Sequence, residues 1–192
     1  AGGSAAGDKA TKQRFATPRR RIRLEFSSRK HIEHVFDPLR EDISAVAKAG
    51  DCLFLACDET ATIERLVRLE DGRYGQHKSF SLGGIFDLPA GPGGEMDIEG
   101  LAYDSGYLWV VGSHSLKRKK PERDDRGPGK ALKRMGRVER EANRYFLGRV
   151  PLIEESPKLF APVAADSGRT AASLKLKKSS SKLIDWLEDD EH

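Results

Sequence analysis

The chain has 192 residues, enough for one domain with a hydrophobic core. Its residues are 38% apolar and 33% charged with no apolar run of membrane-spanning length, and only two are cysteines, which excludes a helical membrane protein and a disulfide scaffold. The net charge of +4 is unevenly placed: nine Lys/Arg stand against Glu25 alone from Lys9 to Lys30, eleven against four acids from Lys117 to Arg140, and five acids fall in the last eight residues.

In chain order, residues 1–17 are small and polar and read as a flexible tail. From Arg19 to Phe26, Ile22, Leu24 and Phe26 alternate with charges, as in a half-exposed strand, and His31 to Asp37 continues loosely to a stop at Pro38. A first unit follows: an inner strand at Ile43–Ala47, a turn at Ala49-Gly50-Asp51, a core strand at Leu53–Ala56, and further strands at Ile63–Leu69 and Tyr74–Ser81. A Pro- and Gly-bearing loop runs from Leu82 to Gly94. The hairpin then recurs. Asp42–Asp58 aligns without a gap on the stretch from Asp97, at an offset of 97 − 42 = 55, matching Val46 to Leu101, Leu53 to Leu108, Phe54 to Trp109 and Leu55 to Val110. The gapless repeat predicts that Val46, Leu53, Leu55, Leu101, Leu108, Trp109 and Val110 are core, in two hairpins that superpose. A basic insertion at 117–141 interrupts the second unit, and Asn143–Leu152 returns as its third strand. Glu154 to Arg169 reads as loop, and Ser179 to Glu191 as a short helix capped by Ser179–Ser181, with Leu183, Ile184 and Leu187 on one face.

Strand units at a period near fifty residues point to a mainly β fold of propeller blades: a partial propeller of about three four-stranded sheets with a short C-terminal helix. The blade region spans 18–178, and 179–192 forms the helix and acidic end. A closed propeller needs at least about four blades, so the expected partner is another copy, or a chain carrying the remaining blades. Cys52 and Cys57 are five apart on one strand and face opposite sides, so no bridge is expected. A reducing, cytoplasmic location is expected, with an N-terminal leader open as an alternative and no membrane partner.

At Asp58–Arg65, Asp97–Ala102 and Gly112–Arg118 the chain resembles a bacterial family, the β-propeller-like domain of unknown function 3616, and the likeness includes Asn143-Arg144-Tyr145 and Arg149-Val150-Pro151-Leu152. The resemblance covers roughly Ile22 to the C-terminus. It implies that members continue past a segment like Leu187–His192 into another such unit, so that a C-terminal half is missing here. It implies no activity. More distantly, the Asp-x-Glu-Gly hairpin looks like those of calcium-binding, phytase-like and esterase-like propellers.

Asp42, Asp97 and Glu99 recur at the start of the inner strands, where blades face one channel and carboxylates could hold Ca²⁺ through oxygens. The alternative is that they tie down the strand start by bonding backbone N–H groups. Asp58 and Glu59 end the core strand and are expected on the other rim, as solvated turn charges. Ser113 and His114 are adjacent and cannot pair directly, although His114 could meet Glu99 or Asp58. Lys117 and Arg118 head a basic cluster that could take a polyanion, but no aromatic residue interleaves it before Tyr145, so nucleic acid is not favoured. No residue set read from the sequence meets the geometry of catalysis, and the catalytic residues are unknown. The leading expectation is a non-catalytic propeller scaffold or a ligand- or protein-binding module. The alternatives are a calcium-dependent phosphoesterase- or esterase-like hydrolase working at the channel, and a polyanion binder.

Overall fold

The computed structural model describes residues 21–27, 42–118 and 128–190. The expected tail at 1–17, the stretch His31–Asp37 and residues 119–127 of the basic insertion lie outside the described residues.

The first unit is a four-stranded antiparallel meander: β1 (Ile43–Ala49), β2 (Cys52–Cys57), β3 (Thr62–Arg68) and β4 (Tyr74–Ser81), hydrogen-bonded in that order. The second unit repeats the plan with β5 (Ile98–Asp104), β6 (Tyr107–Gly112), β9 (Leu147–Ser156) and β10 (Leu159–Pro162), while β13 (Ala172–Ser173) joins β9 as an extra strand. Between β6 and β9, the ends of the insertion pair as β7 (Lys117–Arg118) and β8 (Val138–Glu139), with helix α1 at Pro128–Met135. A ribbon of β11 (Ala165–Asp166) and β12 (Arg169–Thr170) follows, and helix α2 (Lys182–Glu188) is capped by Ser181, whose Oγ accepts from the Ile184 N–H at 3.3 Å. The fold is mainly β, and the two blade-sized sheets make it a partial propeller.

The hairpin repeat holds pair by pair. Ile43 faces Cys57 and Ala47 faces Phe54 in the first sheet; 55 residues on, Ile98 faces Gly112 and Ala102 faces Trp109. Even the irregularity recurs, between Ile43 and Ala45 and between Ile98 and Gly100, so Ser44 and Glu99 are equivalent bulge residues. Unit two's third strand also stands where expected: Arg65 pairs with Phe54, and Arg149 pairs with Trp109.

The burial of the two hairpins differs, because the sheets pack front to back. The first sheet turns Ala45, Ala47, Ala49, Cys52 and Phe54 toward the second, which answers with Ile98, Leu108, Val110, Val150 and Leu152. Under the 55-residue offset Leu108 corresponds to Leu53, not to Phe54, so opposite faces meet. Ser44 Oγ donates to the Ile98 carbonyl, and the Asp97 N–H to the Asp58 carbonyl at 3.0 Å, joining the sheets at the inner-strand end. At the other end Gly50 sits so close to the Lys158 carbonyl that a Cβ there would lie 2.5 Å from its oxygen, and the Asp51 N–H bonds that carbonyl at 2.9 Å.

Two core expectations fail for this reason. Trp109 is 38% exposed and Val46 56% exposed, because each lies on the face of its sheet that points out of the pair. Leu55, Leu108 and Val110 are buried as expected, and Leu53 and Leu101 are half-buried. The stretch read as loop after Glu154 carries the end of β9, then β10, β11 and β12. Its strand β10 was hidden by Pro162, which an edge strand tolerates because no ladder donor is needed there. The outer face of the first sheet is partly covered: Leu24 and Phe26 pack on Leu55, Leu66 and Tyr74, with Leu24 bridged to Tyr74. Both cysteines are buried and unpaired. Among the described residues no helix is long and apolar enough to cross a membrane.

Candidate functional site

The acidic residues of the inner-strand rim converge across the boundary between the sheets. A carboxylate oxygen from each of Asp58, Asp97 and Glu99 lies within 4.8 Å of the others. Asp58 follows β2, Asp97 precedes β5, and Glu99 is the bulge residue of β5, which carries it out of the regular pleat. Asp42 is not in this group; its carbonyl accepts the Asp58 N–H at 3.3 Å. Nor is Asp58 on the opposite rim as expected, since in an antiparallel hairpin the end of the second strand lies beside the start of the first. Glu59, next along, is exposed.

Charge is crowded here. Burial first, then the charges of Asp97 and Asp58, push the Glu99 carboxyl above its ordinary value, with Arg144 acting in the opposite direction. Asp97 is 7% exposed and held at φ 50°, in the left-handed region. Its carboxylate is bonded by Arg144, whose guanidinium also donates to Glu95 at 2.7 Å and to Ser115 Oγ at 2.7 Å. One oxygen of Asp58 is buried without a hydrogen-bond partner. Arg144 sits in a 3₁₀ turn, Ala142–Tyr145, whose Asn143 is fully buried. Asn143 accepts from the Ala90 N–H at 3.0 Å and donates to the Gly91 and Gly94 carbonyls, fixing the loop that leads into Asp97. Asn143, Arg144 and Tyr145 thus serve as loop clamp, counter-charge and packing for His114, whose ring is 6.2 Å from that of Tyr145.

A family model described as protein of unknown function (DUF3616) matches residues 42–192. The chain belongs to this family. No curated protein and no solved structure matches. The match takes in both sheets, the acidic group and the Asn143–Tyr145 turn.

The remaining candidates are placed separately. His114 Nδ1 bonds the Gly112 carbonyl at 2.9 Å, which makes that nitrogen the donor and leaves the buried Nε2 without a partner. Ser115 Oγ donates to Ser113 Oγ at 3.0 Å and accepts from Arg144, so the serines bond each other rather than the imidazole. Lys117 is already engaged by two carboxylates, Glu95 and Glu141. Burial alone would lower its pKa, but those two acids outweigh it and the value is raised. Arg118 lies in the β7 ribbon beside residues outside the described set.

Three arrangements leave no mark in the sequence. Arg144 is the cation of the acidic group, and a lone arginine inside a turn gave no sign of it. The pairing of Arg149 with the exposed Trp109 is a repeat of Arg65 with Phe54, hidden because the insertion lengthens the offset from 55 to 149 − 65 = 84. The buried pair Glu64 and His77 lies on adjacent strands and leaves no sequence motif.

Proposed function

We propose that the chain is a β-sheet-stacking module, which uses the outer face of its second sheet to bind a further sheet of the same repeat. In a solution of this chain alone, that occupant is the first sheet of a second copy. One observation carries the reading. The face formed by Phe54 and Arg65 is closed by the second sheet, with Phe54 fully buried, whereas its equivalent, formed by Trp109 and Arg149, stands half open.

The closed face supplies the chemistry expected of the occupant. Arg65 donates to Glu155 at 2.7 Å and to the Phe160 carbonyl at 2.7 Å, both from the second sheet. On the open face the Arg149 guanidinium lies 4.4 Å from the Tyr107 ring centre and 5.7 Å from that of Trp109. Tyrosine, tryptophan and arginine together are the composition of interface anchors. The first sheet of a second copy offers the exposed apolar side chains Ile43 and Val46. The contact is head-to-tail, and so gives a ring or an open chain rather than a two-fold dimer. Sedimentation of the 192-residue chain tests it. Concentration-dependent association, abolished by Trp109→Glu, is expected; a monodisperse monomer near 21.3 kDa at all concentrations rejects it.

A second reading is favoured by the unpartnered buried oxygen of Asp58: Asp58, Asp97 and Glu99 bind a hard cation such as Ca²⁺. Calcium takes 6–8 oxygens at about 2.3–2.6 Å, so three carboxylates spaced as these are would supply part of the shell and carbonyls or water the rest. Arg144 offsets one of the three negative charges, which weakens the site.

A further inference from the structure

On the outer face of the first sheet, three side chains form a relay. Ser27 Oγ lies 2.8 Å from His77 Nδ1, and His77 Nε2 lies 2.7 Å from Glu64 Oε2. Accessibility falls along the series. Ser27 is exposed, the His77 side chain is 6% exposed and that of Glu64 is 2% exposed.

The hydrogen bonds around Glu64 fix the proton positions. Its other oxygen accepts from Thr62 Oγ1 at 2.6 Å and from Ser79 Oγ at 2.9 Å. A carboxylate filled with donors in this way accepts from the imidazole too, so Nε2 carries the proton and Nδ1 presents its lone pair. The Ser27 hydroxyl therefore donates to Nδ1. The imidazole is used in the reverse sense to the familiar serine–histidine–aspartate triad, but the logic is the same: exposed hydroxyl, base, buried carboxylate that holds the tautomer.

The backbone is shaped to make this contact. Arg65 pairs with Lys78 and Val67 with Gly75, so Leu66 faces two residues, Gln76 and His77, in a bulge with Gln76 at φ 51°. In a regular strand, residues 74 and 77 would point to opposite sides. The bulge turns His77 to the face that carries Tyr74, Glu64 and the Leu24–Phe26 segment. Phe26 packs its ring edge-on to His77 at 5.3 Å, and the Leu24 bridge to Tyr74 anchors the segment that presents Ser27.

The geometry points to an activity of this chain beyond that binding role: Ser27 is the nucleophile, His77 the general base and Glu64 the positioning residue of a site that cleaves small, accessible carboxylic esters. Ser27 Oγ bonds to the ester carbonyl carbon as its proton passes to His77 Nδ1. Collapse of the tetrahedral adduct breaks the C–O bond, and the departing alkoxide takes that proton. Water then attacks the acyl-serine, again losing a proton to Nδ1, and releases the carboxylic acid with the Ser27 hydroxyl restored. The exposed position of Ser27 suits short acyl chains, with the apolar edge of Phe26 beside them.

The test uses the 192-residue chain, a fluorophosphonate probe and p-nitrophenyl acetate, at a dilution that keeps the chain monomeric, because the proposed association through the outer face of the first sheet would cover Ser27. The expected result is one phosphonyl group per chain, located on Ser27 by peptide mass spectrometry, and ester turnover that Ser27→Ala abolishes. Ser27 is exposed, so that variant keeps the fold. His77→Gln, which keeps a polar contact but cannot take the proton, should slow labelling by at least about 10²-fold. Glu64→Gln should lower kcat by about 10-fold or more at unchanged KM, and Glu64→Asp should restore part of the loss. No adduct on Ser27, equal labelling of wild type and His77→Gln, or an unaltered kcat in Glu64→Gln each overturns the proposal.

Discussion

The two sheets have the same hairpin register but not the same surroundings, and the difference separates what the repeat encodes from what packing decides. Phe54 and Trp109 occupy equivalent sites, each opposite an alanine on one side and an arginine on the other. Phe54 is fully buried because a second sheet lies on it; Trp109 is 38% exposed because among the described residues nothing comparable lies on it. Large aromatic residues on both equivalent faces fit a repeat in which each sheet carries the next. The pair of sheets is therefore directional, with Trp109 and Arg149 on one outer face and Val46, Tyr74 and the Glu64–His77 pair on the other.

The largest expected break in this symmetry is in stability. Phe54→Ala removes a fully buried ring and should cost about 3–5 kcal/mol. Trp109→Ala in the dilute chain should cost about 1 kcal/mol, because much of its ring stays in water when folded. Urea titration of both variants at low protein concentration measures the pair. Equal losses would mean that Trp109 is covered in solution.

The arginines give the next contrast. Arg65 is buried and bonded to Glu155 across the sheet boundary, so Arg65→Ala should cost about 1–3 kcal/mol, while Arg149→Ala in the dilute chain should fall within about 0.5 kcal/mol. The Arg65 hydrogen bond holds the Glu155 carboxyl below its ordinary value, helped by Lys78. A carboxyl lowered in the folded state stabilises it above the unfolded pKa, and that contribution is lost as pH falls through the lower folded value. Acid melting curves should thus show a loss of stability below about pH 4 that is smaller in Arg65→Ala than in the wild type.

How much of this was legible depended on whether the determinant was local. The hairpins were, since turn residues and alternating apolar positions act over a few neighbours; the bulge that recurs at Ser44 and Glu99 was not, although its recurrence fits the gapless alignment. The burial of Val46 and Trp109 was not, because it depends on which sheet face meets the other, and front-to-back stacking inverts the parity between units. The acidic site was half legible. Asp97 and Glu99 belong to one strand start, but their third member comes from the end of the previous sheet's second strand, and the counter-charge Arg144 from beyond the insertion. Ser27, His77 and Glu64 were not legible at all, because a bulge at Gln76 sets the facing of His77.

The smallest expected effect distinguishes the two rims of equivalent sequence. The first sheet has Ser44 where the second has Glu99, so only the second rim brings a third carboxylate to its neighbours. The raised pKa of Glu99 means that the folded state holds this proton more tightly than the unfolded chain does. By linkage, the folded state is favoured below the unfolded pKa, and this advantage is lost as pH rises through the folded value. At neutral pH ionised Glu99 is thus a small net cost, screened by solvent because its side chain is exposed, and Glu99→Gln should raise Tm slightly, a gain that fades as the pH falls into the carboxylate range. Ser44→Ala, at the equivalent bulge, should instead lower Tm at every pH, since it removes the donor to the Ile98 carbonyl. Millimolar Ca²⁺ should raise the wild-type Tm at pH 7 and should raise that of Glu99→Gln less, because one ligand is gone. Identical calcium responses in the two proteins would separate the crowding of charge from any binding of a cation, and leave Arg144 as the sole neutraliser of Asp97.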